Sequence, residues 1–96
     1  MHQLIEQHRE EILAIAKNHG VTNVRLFGSM ARNDTDENSD VDLLVRPLPG
    51  TSLLDLGGLL MEAQELLGRP VDVVSERALH PAMREHVLQE SIALSR

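Results

Sequence analysis

Three aspartates stand where burial makes a charge expensive. Asp40 and Asp42 sit one residue apart at the start of the apolar run DVDLLV, and Asp72 interrupts VDVV in the same manner. Side chains alternate faces along a strand, so Asp40 and Asp42 point one way while Val41, Leu43 and Val45 point the other. Same-face neighbours are about 7 Å apart, and their carboxylates can converge on a cation between them. Two like charges held that close resist ionisation unless a cation neutralises them. Hard oxygen donors favour Mg²⁺ or Mn²⁺ over zinc. If the VDVV strand lies beside DVDLLV, three carboxylates meet at one end of the sheet, a two-metal arrangement.

Gly28 and Ser29 supply a second component. A glycine at a strand-to-helix turn allows close backbone approach to a ligand, and a helix N-terminus after it suits phosphate. Ser29, the expected N-cap, adds a hydroxyl, and Arg32 carries a guanidinium suited to phosphate oxygens. Turn and metals together describe a site for a nucleoside triphosphate. Taken singly, each signal has a plainer explanation: a DxD is more often a solvated strand face, Ser29 a simple cap, and Asp72 a surface residue. The conjunction decides for function.

The elements that must position these residues follow from periodicity. Apolar residues at helical spacing predict one helix over 2–19, stopped by Gly20. VTNVRLF (21–27) predicts a strand, and a short helix opens at Ser29 and fades by Asn33 or Asp34. DVDLLV is the second strand, closed by Arg46 and Pro47. Ser52 and Asp55 form a capping-box pattern for a helix over 53–67, despite the Gly57–Gly58 pair, and Gly68 ends it. VDVV (71–74) is the third strand. A helix runs from about Pro81 to Glu90, and SIAL could add a short edge strand. Strands alternating with helices argue an α/β domain, a small mixed sheet with flanking helices.

Bulk composition narrows the partners. The 96 residues predict one domain over 1–96, with ordinary hydrophobic (42%) and charged (25%) content for a globular chain. Phe27 is the only aromatic residue, so the core must be aliphatic. A formal net charge of −6 repels phosphate backbones and argues against direct nucleic-acid binding. With no cysteine, disulfides and thiolate metal sites are excluded. No apolar run is long enough to span a membrane and no signal peptide opens the chain, so a cytoplasmic location is expected. The five histidines show no helical ligand spacing and predict no zinc site.

GSMARNDTDENSDVDLLV resembles the signature of the DNA polymerase β-like nucleotidyltransferases: Gly-Ser, ten residues, then Asp-x-Asp. It is most similar to the minimal nucleotidyltransferases, many of them antitoxins encoded beside a HEPN toxin. Gly28, Ser29, Ala31, Arg32, Asp34, Ser39, Asp40, Asp42, Leu43, Leu44 and Val45 match in register. LLGRPVDVV and ALHPAMREHVLQES are similar to the family's third-acid strand and closing helix. Asn33 replaces the usual Gly, Thr35 a common Ala and Asn38 a common acid, and all three spare the catalytic acids. The resemblance implies a polymerase β palm-like fold and assigns Asp40, Asp42 and Asp72 as catalytic metal ligands for two Mg²⁺ ions. It implies that Gly28, Ser29 and Arg32 hold the triphosphate of ATP.

The implied reaction moves AMP from ATP to a hydroxyl, with a tyrosine of a HEPN toxin as acceptor. Two other functions are compatible with the same residues: neutralisation of the toxin by binding alone, and nucleotidyl transfer to a small molecule such as an aminoglycoside. Larger relatives carry a helical domain that shapes the acceptor site, so the acceptor should come from a second chain. The leucine-rich run Leu53, Leu54, Leu56, Leu59 and Leu60, or the tail from Met83 to Leu94, could receive it.

Overall fold

The computed structural model describes residues 2–31 and 40–94. Helices α1 (Gln3–Gln7) and α2 (Arg9–Asn18) lead into strand β1 (Val21–Phe27), and a 3-10 turn follows over Gly28–Met30. Strand β2 (Val41–Pro47), helix α3 (Leu53–Leu67) and strand β3 (Val71–Ser75) come next. A second 3-10 turn (Glu76–Ala78), helix α4 (Pro81–Glu90) and the short strand β4 (Ile92–Ala93) complete the order. The four strands form one sheet in the order β3-β2-β1-β4. β2 and β3 are parallel, while β1 pairs antiparallel with both β2 and β4. The sheet is mixed, as expected.

The expected first helix is two. His8 leaves helical geometry at φ −110° and ψ 14°, and it closes α1 while opening α2. Strand β1 also departs from simple alternation. Val21 faces the core, Thr22 and Asn23 are both exposed, and Val24 and Leu26 are buried again. Asn23 has φ +53°, and the pairing with β2 shifts between Thr22 and Arg25. A bulge there restores the inward phase of the strand, and asparagine tolerates the left-handed geometry it needs.

The core is aliphatic. Val41, Leu43 and Val45 on β2 join Val24 and Leu26 on β1 beneath Ile12 and Ala16 of α2 and Leu59 and Ala63 of α3. Helix α3 starts as its sequence dictates: Asp55 N–H donates to Ser52 Oγ at 3.3 Å, and Ser52 N–H donates to Asp55 Oδ2 at 2.8 Å. Gly58 is used for packing, because a Cβ there would lie 2.6 Å from the ring of His19. That ring meets Glu62 at 2.6 Å and ties the end of α2 to α3.

The two surfaces singled out in the sequence divide differently. Leu59 is buried and Leu56 packs against the core, but Leu53 and Leu54 are 85% and 88% exposed. In the tail, Leu94 is fully buried, whereas Met83 is 58% exposed. Among the described residues, no helix is long and apolar enough to cross a membrane.

Candidate active site

Strand polarity brings the site together. The β2-α3-β3 unit is a parallel crossover, so both strands begin at the same sheet edge. Asp42 and Asp72 occupy directly paired positions in that register. Antiparallel β1 ends at the same edge, where Phe27 pairs with Asp42 and the chain turns through Gly28. Val41 N–H donates to the Pro70 carbonyl at 2.9 Å and fixes the two acid-bearing strand ends against each other. Asp40 lies one residue before β2 and is exposed, rather than standing on the strand.

Asp42 is the most constrained of the three acids. It is half-buried, while Asp40 and Asp72 are exposed. Burial, then the carboxylates of Asp72 and Asp40, push the Asp42 carboxyl above its ordinary range. The acids share the edge without forming a finished chelate: among the described residues, no three histidine, aspartate or glutamate side chains are gathered closely enough to hold an ion.

Gly28 has φ +74°, and a Cβ built on it would lie 2.5 Å from Asp42 Oδ2. The glycine therefore serves two needs at once, a left-handed turn and a backbone pressed against the central carboxylate. The helix expected after Ser29 differs. A three-residue 3-10 turn begins at Gly28, with Phe27 in the cap position and no side-chain capping bond, so Ser29 is not an N-cap. One 3-10 turn satisfies fewer groups and aligns fewer dipoles than a true helix start. Arg32, Asp34 and Ser39 lie outside the described residues.

Away from the acids, the same strands carry a second group of charged residues. Arg46 and Glu76 pair at 3.6 Å and line two adjoining clefts of about 250 and 280 Å³. Arg77 and Arg84 complete the first, and Arg25 lines the second. Their spacing offered no motif, because they come from four separate elements.

A mixed sheet with aspartates paired across β2 and β3, and a glycine turn from β1 beside them, is the arrangement of a nucleotidyl-transfer protein. The nucleotidyltransferase domain family matches residues 5–94, and the chain belongs to that family. A Methanocaldococcus jannaschii relative named as a protein adenylyltransferase is 41% identical over 88 residues, covering 92% of this chain and 95% of its own. The protein adenylyltransferase MntA of Thermococcus cleftensis is 33% identical over 89 residues, covering 93% and 87%. A solved minimal nucleotidyltransferase superposes with TM-score 0.87 at 45% identity, covering 96% of this chain and 95% of that one. The fold also matches, at TM-score 0.71 and 17% identity, a structure of a tri-AMPylated Shewanella oneidensis HEPN toxin in complex with its MNT antitoxin, covering 94% and 71%.

Proposed function

We propose that the chain transfers AMP from ATP to a hydroxyl of a partner protein, and that the partner is a HEPN toxin neutralised by the modification. The in-register pairing of Asp42 with Asp72 beside Gly28 carries this reading. Membership of the family and the names of the relatives support it. The HEPN complex that shares the fold supports the choice of partner.

The donor set fits a hard divalent cation. Three carboxylates supply only oxygen, and the crowding that raises the Asp42 carboxyl is relieved by a positive charge among them. Asp40 and Asp42 would hold the first Mg²⁺ or Mn²⁺, and both would share the second with Asp72. Bound there, the ions would supply charge neutralisation for the triphosphate and the attacking oxygen. The protein's own contribution is placement. The Gly28–Ser29 turn sets backbone and a hydroxyl against the β- and γ-phosphates; Arg32, outside the described residues, is assigned to the same phosphates by the family signature alone. Asp72, exposed at the edge of the sheet, faces the incoming hydroxyl and receives its proton. The hydroxyl oxygen bonds to the α-phosphorus, the bond to the bridging oxygen breaks, and pyrophosphate leaves.

Incubation with ATP, Mg²⁺ and the HEPN toxin should give an AMP adduct on the toxin by mass. A verified toxin that acquires no adduct refutes the reading. Neutralisation by an Asp42→Ala, Asp72→Ala variant as complete as wild type would instead support a binding-only antitoxin.

A further inference from the structure

Four of the nine lysines and arginines in this acidic chain, Arg25, Arg46, Arg77 and Arg84, line the two adjoining clefts away from the acids. One acid, Glu76, lines both clefts, and its side chain is only 13% exposed against Arg46. Arg25 donates to Ser91 Oγ at 3.1 Å. Arg77 and Arg84 are exposed, and among the described residues neither has an acidic partner. Like positive charges gathered on a molecule of net charge −6 leave a local field opposite in sign to the rest. Leu48, 48% exposed, lines the first cleft, and Met83, 58% exposed, precedes Arg84 on α4. Exposed methionine and arginine with little lysine is the composition of a protein-docking surface.

Position links this cleft to the reaction. Asp42 and Arg46 stand four residues apart on β2, which places the cleft about 13 Å from the acid edge along the strand. A partner footprint of about 800 Å² spans both.

We propose that this cleft docks an acidic segment of the protein acceptor, holding Asp or Glu side chains on Arg77, Arg84 and Arg46 while the acceptor hydroxyl reaches the acid edge. The inference rests on the reading of the acceptor as a protein. Its chemistry is bidentate guanidinium–carboxylate pairing at an exposed, salt-screened surface. The cleft sets acceptor affinity and orientation and takes no part in the bond exchange.

The test measures binding alone, so that it separates from failure of AMP transfer. The probe is a fluorescent 12-residue peptide with one tyrosine followed by glutamates, read by anisotropy beside its all-glutamine counterpart. The glutamate peptide should bind at least about ten-fold tighter than the glutamine one, and its affinity should fall steadily with added salt. Arg77→Glu with Arg84→Glu should abolish that preference, Arg77→Lys with Arg84→Lys should retain most of it, and Asp42→Asn should leave it intact. Equal binding of the two peptides, or affinity indifferent to salt in the wild-type protein, overturns the proposal without any variant. A single-stranded RNA 12-mer that outcompetes the glutamate peptide, and is lost with the same arginines, overturns it in favour of a nucleic-acid site. Loss of AMP transfer to the toxin in Asp42→Asn with peptide binding intact would show the two readings standing separately.

Discussion

The two faces of strand β2 make opposite demands on one stretch of seven residues. Val41, Leu43 and Val45 are fully buried under α2 and α3, where shape alone matters. The alternate positions hold Asp42, Leu44 and Arg46, a half-buried acid, a buried leucine and an exposed arginine. The inner face spends hydrophobic burial to fix the strand. The outer face uses that rigidity to hold a carboxylate in a position where its charge is disfavoured. A side chain moved between faces would lose both, because the strand period is two.

The largest effect expected from breaking this comparison is on the outer face. Asp42→Ala or Asp72→Ala should lower AMP transfer at least about 10³-fold, equivalent to roughly 4 kcal/mol of lost transition-state stabilisation. Single-turnover transfer with the toxin checks this, and a variant retaining a tenth of wild-type rate would remove that residue from the chemistry. On the inner face, Leu43→Ala should cost about 2–5 kcal/mol in denaturant unfolding, since Leu43 has no exposure and a cavity would remain.

Smaller effects sharpen the contrast elsewhere. Ser52→Ala removes the oxygen that accepts from Asp55 N–H and should cost about 1 kcal/mol. A cost near zero would show that Asp55 alone holds the helix start. Asp42→Asn should raise the melting temperature of the metal-free protein near neutral pH. The sign follows from linkage. A carboxyl raised in the folded state favours folding while protonated, and that contribution is lost as pH rises through its elevated value. The stabilising effect of the asparagine should therefore vanish in acid, and Mg²⁺ should stabilise wild type more than the variant. Calorimetry across pH 3–8 reads both. The least effect belongs to Leu54→Ala, which should leave monomer stability within about 0.5 kcal/mol because the side chain is 88% exposed.

Much of this was legible from residue order. The capping box at Ser52 and Asp55, the stop at Gly68 and the span of α4 are local devices, and local chemistry reads directly from sequence. The break at His8 was not legible, because the apolar spacing continues across it and nothing in the residue type ends a helix. The bulge at Asn23 was hidden for a similar reason: VTNVRLF reads as an ordinary strand until pairing with β2 forces its phase. Ser29 misled because a good N-cap residue stands inside a 3-10 turn that Phe27 caps. The arginine cleft left no signal at all, since its residues are dispersed from position 25 to position 84.

By itself the sequence determined which residues carry charge against an apolar run: Asp40, Asp42 and Asp72, with Gly28 and Ser29 upstream. It also set an aliphatic core and the alternation of strand and helix, because periodicity and turn chemistry act over a few residues. Only the tertiary structure decided that Asp72, thirty positions beyond Asp42, stands opposite it. A parallel crossover through α3 is what returns the chain to the same edge, and no local preference encodes that choice. The tertiary structure likewise pressed Gly28 against the Asp42 carboxylate and assembled four distant arginines into one surface. These are contacts between elements, and their energies exist only once the sheet has formed.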